Sequence, residues 1–87
     1  MKNIVMFITS WCPHCHMASD FQNKLLAEHP EWRGIPLTVV DEERDTPPEG
    51  HYDYYYVPTY YVGGVKLHEG HAEREDVERV FRAALAE

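Results

Sequence analysis

The chain has 87 residues, which is enough for one domain with a modest core and too few for two, so we expect residues 1–87 to form a single domain. Hydrophobic residues make up 44% and charged residues 26%, a composition that is typical of a soluble globular domain and excludes a disordered chain. The net charge of −7 argues against nucleic acid or an anionic membrane surface as a partner, because their phosphates would repel the chain.

The first predicted strand covers residues 3–8, where an uninterrupted run of five apolar residues follows Asn3. This run is too short for a signal peptide or a membrane span. Pro13 suits the first turn of a helix, which we predict over residues 14–28. Gln22 belongs to the polar residues of that helix. The apolar residues at helical spacing are Met17, Ala18, Phe21 and Leu25.

A second strand is predicted after a short connection. Pro30 ends the helix, and residues 31–34 have the composition of a loop. Residues 35–40 then form a strand that is expected to run parallel to the first one across a right-handed crossover. Residues 41–53 are charged and rich in Pro and Gly, which predicts a loop.

The rest of the chain predicts a hairpin and a helix. Residues 57–62 and 65–69 are the two strands of the hairpin, joined by Gly63 and Gly64. The final helix begins near residue 72 or 73, with ion pairs predicted for Glu75/Arg79 and Glu78/Arg82. Its apolar face consists of Val77, Val80, Phe81, Ala84 and Leu85. The order β-α-β-β-β-α predicts an α/β fold with a four-stranded mixed sheet and helices packed on it.

The only two cysteines, Cys12 and Cys15, lie at the predicted start of the first helix. Unpaired backbone N–H groups and the dipole at a helix N-terminus stabilise a thiolate over a thiol. Pro13 and His14 lie between the cysteines and are expected to tune the acidity of Cys12. We therefore predict a redox pair in which Cys12 is the nucleophile and Cys15 the resolving thiol, with a reversible disulfide and no bound cofactor.

A metal-binding module is the main alternative. The stretch CPHCH at residues 12–16 combines both cysteines with His14 and His16, and His68 and His71 lie three residues apart further on. A structural zinc site usually needs a second ligand pair at similar spacing, and no second C-x-x-C or H-x-x-x-H exists. Zinc, or an iron–sulfur cluster shared between two chains, is thus the second interpretation, and a non-catalytic adaptor is the third.

Three separated motifs resemble the thioredoxin superfamily: WCPHC at residues 11–15, VPT at 57–59 and GGVKLHEG at 63–70. The short length is most similar to a glutaredoxin. The resemblance implies a thioredoxin-like sheet with strand order 2-1-3-4 and thiol–disulfide oxidoreductase activity on protein or glutathione mixed disulfides. It also implies a cis peptide bond before Pro58. The substrate-binding residues that it implies are Trp11, Val57, Pro58, Thr59, Gly70 and His71.

Two positions depart from the patterns of the superfamily. Met6 stands where thioredoxins carry a buried aspartate, and Ala72 stands where glutaredoxins carry the first of two acidic residues that hold glutathione, so that only Glu73 is acidic there.

Tyr60 and Tyr61 are expected to pack on the two faces of the sheet.

The resemblance also implies partners. These are disulfide-containing protein substrates, with glutathione as a possible co-substrate and with glutathione or a thioredoxin-type reductase as electron donor. Two cysteines in all and no targeting segment predict a cytoplasmic location, where structural disulfides are rare. We expect a monomer.

Overall fold

A computed structural model describes residues 1–86 and contains four strands, two α-helices and one short 3-10 helix. The strands are β1 (Ile4–Ile8), β2 (Leu37–Asp41), β3 (Thr59–Val62) and β4 (Val65–Glu69), and the helices are α1 (Pro13–Glu28) and α2 (Arg74–Leu85). The sheet has the order β2-β1-β3-β4. β1 runs parallel to β2 and antiparallel to β3, and β3 runs antiparallel to β4. The predicted α/β class and strand order are confirmed.

The central strand β1 contributes side chains to both faces of the sheet, as a strand without polar residues must. Ile4 and Met6 face the larger core, which α1, α2 and the 3-10 helix cover. Val5 and Phe7 point to the opposite face. Tyr60 and Tyr61 of β3 divide between the two faces in the same way, which confirms their predicted packing role.

The two helices differ in how they meet the larger core. α2 buries four of the five residues of its predicted apolar face, Val77, Val80, Phe81 and Ala84. The fifth, Leu85, is exposed because it lies at the last position of the helix. α1 buries Cys15, Ala18, Gln22 and Leu25. Met17, which has the predicted apolar spacing, is exposed, and the polar Gln22 is buried in its place. The reason is that Met6 and Tyr60 on the sheet offer Gln22 hydrogen-bond partners.

The second face of the sheet is covered by an irregular segment, residues 50–57, which carries a cluster of aromatic rings. Tyr52 and Tyr54 lie on Phe7 at ring-centroid distances of 4.9 and 4.7 Å. Tyr52 also packs edge-on against Tyr61 at 4.9 Å. Offset and edge-to-face aromatic pairs of this kind stabilise a core beyond the area that they bury.

Two further local predictions were wrong. The connection after α1 is a 3-10 helix, Pro30–Gly34, because Trp32 is buried in the larger core and stacks on Phe81. Arg79 pairs with Asp76 at 2.6 Å and not with Glu75.

Other boundaries shifted by a few residues. The third strand starts only at Thr59, since Pro58 has no N–H for the ladder. The last helix starts at Arg74, after Glu73 as N-cap. The predicted pair between Glu78 and Arg82 is present at 2.9 Å. No helix within residues 1–86 is long and apolar enough to cross a membrane.

Candidate active site

Cys12 forms the N-cap of α1, at the point where the chain leaves β1 and turns into the helix. Its backbone is extended, with φ −86° and ψ 112°, and Pro13 occupies the first helical position. The backbone N–H of Cys15 donates to Cys12 Sγ at 3.1 Å. A sulfur atom thus takes the place that a Ser or Asp oxygen fills at many helix starts, and it accepts one N–H that would otherwise lack a partner within the helix.

Cys15 lies one turn further on and faces the core, with 2% of its surface exposed. Burial, and after it the hydrogen bond with Cys12, raises the pKa of the Cys15 thiol above its ordinary value of 9.0. The backbone at Thr9 acts in the opposite direction but more weakly. Both cysteines are free. Cys12 is also buried, with 4% of its surface exposed, so the two sulfurs differ in their hydrogen bonds and not in their burial: Cys12 Sγ accepts the backbone N–H of Cys15, while the pKa of the Cys15 thiol is raised.

The segment before β3 approaches Cys12 from the opposite side. The Val57–Pro58 peptide bond is cis, as the resemblance implies. The Cys12 thiol lies 3.7 Å from the carbonyl oxygen of Val57. Pro58 and Thr59 are buried, and the Thr59 hydroxyl donates to the carbonyl oxygen of Tyr56. Of the predicted VPT motif, only Val57 offers a backbone atom to the sulfur in this way.

Gly70 secures this segment through its backbone. Its N–H donates to the carbonyl oxygen of Pro58 at 2.8 Å, and its φ of +90° lies in the region that favours glycine. Glu69, the preceding residue, accepts from the backbone N–H groups of Tyr55 and Tyr56 at 2.6 and 3.1 Å. Gly70 thus holds the segment before β3 through its backbone, and Glu69 holds the same segment through its side chain.

Three exposed aromatic side chains belong to residues next to Cys12 or Val57 in the sequence. Trp11 precedes Cys12 and is 71% exposed, and its indole N–H donates to Glu43 Oε1 at 3.0 Å. Tyr55 and Tyr56, directly before Val57, are 89% and 70% exposed. Large exposed rings of this kind are typical of surfaces that contact other molecules.

Two of the histidines singled out in the sequence, His14 and His71, meet at this site. Nδ1 of His14 lies 2.9 Å from Nδ1 of His71, and the two rings are nearly perpendicular. Nε2 of His71 lies 2.8 Å from Glu73 Oε1. His16 contacts the carbonyl oxygen of Ser10 instead, on the other side of Cys12 in the sequence. The structure therefore brings His71 to the first turn of α1.

Sequence reasoning missed the carboxylates at this site. Glu43 follows the end of β2, and Trp11 follows the end of β1. Because the carboxyl ends of two parallel strands meet at one edge of a sheet, the predicted topology could have indicated that these residues lie close together. Nothing in the sequence indicates the contact of Glu69 with Tyr55, since it depends on how residues 50–57 cross the sheet. Within residues 1–86, no group of three or more His, Cys, Asp or Glu side chains is arranged to hold a metal ion.

Comparisons with models of protein families, with curated proteins and with solved structures found no match for this chain. The functional conclusion accordingly depends on the geometry around Cys12 and on the motifs themselves.

Proposed function

We propose that this protein is a thiol–disulfide oxidoreductase with a dithiol mechanism, in which Cys12 is the nucleophile and Cys15 the resolving thiol. The observation that carries the proposal is the N–H of Cys15 donating to Cys12 Sγ at 3.1 Å at the start of α1. Such a donor, together with the helix dipole, favours the thiolate that attacks disulfides. The raised pKa of Cys15 supports the other half of the assignment, because a protonated thiol does not compete for the substrate.

The first step forms a mixed disulfide. The Cys12 thiolate attacks one sulfur of a substrate disulfide, so that a bond between Cys12 and that sulfur forms and the substrate S–S bond breaks. The second substrate sulfur leaves as a thiolate and takes up a proton. In the next step Cys15 loses its proton and attacks Cys12 Sγ, so that the Cys12–Cys15 disulfide forms and the bond between Cys12 and the substrate sulfur breaks. That sulfur leaves as a thiolate and takes up a proton, so that the substrate disulfide has been reduced to two thiols.

Substrate binding is proposed for the surface around Cys12. The carbonyl oxygen of Val57 lies 3.7 Å from the sulfur and suits pairing with an extended substrate backbone. Trp11, Tyr55 and Tyr56 offer exposed rings to the flanking residues of a protein substrate. Disulfide-containing proteins and glutathione mixed disulfides are the proposed substrates, and the reducing cytoplasm is the proposed location.

The test compares the wild type with Cys12→Ser and Cys15→Ser in the reduction of a glutathionylated peptide and of a protein disulfide. Cys12→Ser should reduce turnover to the background rate, because serine is not ionised at neutral pH. Cys15→Ser should accumulate a mixed disulfide on Cys12 that mass spectrometry detects. Met17→Ala, an exposed position on the same helix, is the matched control and should keep wild-type turnover.

Two results would contradict this function. One is a Cys12→Ser variant with wild-type turnover. The other is a purified protein that forms no Cys12–Cys15 disulfide under oxidation and retains zinc, which would favour the metal-binding alternative.

The electron donor follows from a second measurement on the oxidised protein. Because Ala72 replaces an acidic residue of the glutaredoxin pattern, reduction by glutathione is the informative rate. Rapid reduction with a glutathione adduct on Cys12 assigns glutathione as donor, and reduction by a small dithiol alone assigns a thioredoxin-type reductase.

A further inference from the structure

A hydrogen-bonded chain of three side chains leads from α2 to the first turn of α1. Glu73, the N-cap of α2, contacts Nε2 of His71 at 2.8 Å. Nδ1 of His71 contacts Nδ1 of His14 at 2.9 Å. His14 lies between Cys12 and Cys15. The hydrogen bonds therefore connect Glu73 and His71 to a residue of the proposed redox motif that is far away in the sequence.

The chemistry of these groups fixes the positions of the protons. A carboxylate only accepts hydrogen bonds, so the His71 nitrogen that faces Glu73 carries a proton. In a neutral His71 the other nitrogen, Nδ1, then has a lone pair and accepts from the Nδ1–H of His14. His14 is thereby held in one tautomer and one orientation. Within residues 1–86, its Nε2 has no hydrogen-bond partner.

We propose that His71 and Glu73 are positioning residues for His14, and that they control the reactivity of Cys12 through that ring. The inference rests on the proposed function, because only a reactive Cys12 makes the orientation of His14 consequential. A carboxylate that orients an imidazole is a recurring arrangement where a histidine acts on a nucleophile. When protonated, the held ring places a positive charge beside the start of α1 and favours the Cys12 thiolate.

Other charged groups border this chain and belong in any account of its pH dependence. Nε2 of His68 contacts the carbonyl oxygen of His71 at 2.7 Å, so His68 supports the backbone at this position. Nδ1 of His68 lies 4.0 Å from Asp76 Oδ1. Arg79 pairs with the same carboxylate at 2.6 Å. His68 is therefore unsuitable as a control, whereas His51, an exposed residue of the irregular segment, is suitable.

The experiment measures the rate of Cys12 alkylation by iodoacetamide in the reduced protein as a function of pH, with mass spectrometry to assign the site. His71→Ala should move the midpoint of the profile to higher pH by about half a unit or more, which is roughly a threefold loss of thiolate below the midpoint. The physical reason is that an unheld His14 ring spends less time beside the helix start. His51→Asn should leave the profile unchanged.

Two conservative variants separate positioning from a merely structural role. His71→Asn places an amide where Nδ1 of the ring was, so the hydrogen bond to His14 is kept and the one to Glu73 is lost. His71→Gln reaches the Nε2 position, so the hydrogen bond to Glu73 is kept and the one to His14 is lost. The Asn variant should therefore lie closer to the wild type than the Gln variant does. Equal profiles for the two variants, or a wild-type profile for His71→Ala, overturn the inference.

The same samples keep this inference distinct from the proposed function. A wild-type protein without disulfide turnover contradicts the function itself. A wild-type protein with turnover, together with an unchanged His71→Ala profile, contradicts only the role of His71. Thermal unfolding of each variant verifies that the compared proteins are folded.

Discussion

Gln22 is a buried amide in the middle of the core face of α1, and its contacts explain how the core holds it. Its Nε2 donates to the Tyr60 hydroxyl at 2.6 Å and lies 2.9 Å from the Met6 sulfur. Tyr60 is almost fully buried, and burial raises the pKa of its hydroxyl well above the ordinary value of 10.0. Because buried polar groups cost free energy when they lack partners, Gln22 and Tyr60 each depend on the other.

Removing one member of this pair should lower the free energy of unfolding by more than the hydrogen bond itself contributes to it, because the remaining buried polar group then lacks its partner. Gln22→Leu leaves the Tyr60 hydroxyl without its donor, and Tyr60→Phe leaves the amide with a sulfur alone. Each should lower the free energy of unfolding by about 1–3 kcal/mol, measured by urea denaturation. The double variant should cost at least about 0.5 kcal/mol less than the sum of the single ones.

The control for this cycle is Tyr55→Phe, which removes a hydroxyl from an exposed ring and should change stability by less than about 0.5 kcal/mol. Strict additivity of Gln22→Leu and Tyr60→Phe would show that the two side chains do not act as a unit.

Between elements, Glu69 connects the end of β4 to the irregular segment that leads to the site. Lys66 donates to its carboxylate at 2.7 Å, and the N–H groups of Tyr55 and Tyr56 donate to the same group. These bonds, that of Lys66 first, lower the pKa of Glu69 from 4.5 to about 2. The charged form is thus favoured in the folded state, so its contribution to stability is present above pH 4.5 and is lost as the pH falls toward 2.

Acidification should therefore weaken the wild type more than a Glu69→Gln variant. Between pH 4.5 and about pH 2, the melting temperature of the wild type should fall more steeply, because the wild type alone has a bonded carboxylate at position 69 to lose. Differential scanning calorimetry measures both. Glu49→Gln, which changes a carboxylate with no side-chain bond within residues 1–86, should follow the wild-type slope. Parallel slopes for Glu69→Gln and the wild type would contradict the anchoring role of Glu69.

Elements whose signal is local in the sequence were predictable, and contacts between distant segments were not. The apolar run of β1 and the apolar face of α2 appear in consecutive residues, so both elements were predicted to within two residues of their observed bounds. The spacing of Cys12 and Cys15 after a buried strand likewise located the candidate site. Gln22 was assigned to the polar face, because only the tertiary structure reveals Met6 and Tyr60 as its partners. The contact of His14 with His71 joins positions 57 apart, and no local pattern encodes it.

For the whole molecule, the two faces of the sheet are covered by different kinds of structure. Helices α1 and α2 cover one face, and the irregular residues 50–57 cover the other with tyrosine rings. The chain that folds this way carries a net charge of −7, with 15 acidic and 8 basic residues. Folding brings these charges closer together, so mutual repulsion opposes the compact state.

Salt should accordingly stabilise the protein at neutral pH. Raising NaCl from about 10 mM to about 150 mM shortens the screening length from roughly 30 to 8 Å. The expected gain is up to about 1 kcal/mol, equivalent to roughly 4–8 °C in melting temperature for a domain of this size. Near the isoelectric point of about 5.2 the gain should vanish, which serves as the internal control. A melting temperature that falls with salt at pH 7 would mean that paired charges outweigh the net repulsion.

The two tryptophans lie in different environments, so their fluorescence reports on different parts of the molecule. Trp11 lies at the surface directly before Cys12, whereas Trp32 is enclosed in the larger core between His29 and Phe81. Fluorescence from the first indole responds to events at the sulfur, and fluorescence from the second responds to the integrity of the fold. Replacing either ring by phenylalanine isolates the other signal, so that two variants report chemistry and unfolding separately without an added label.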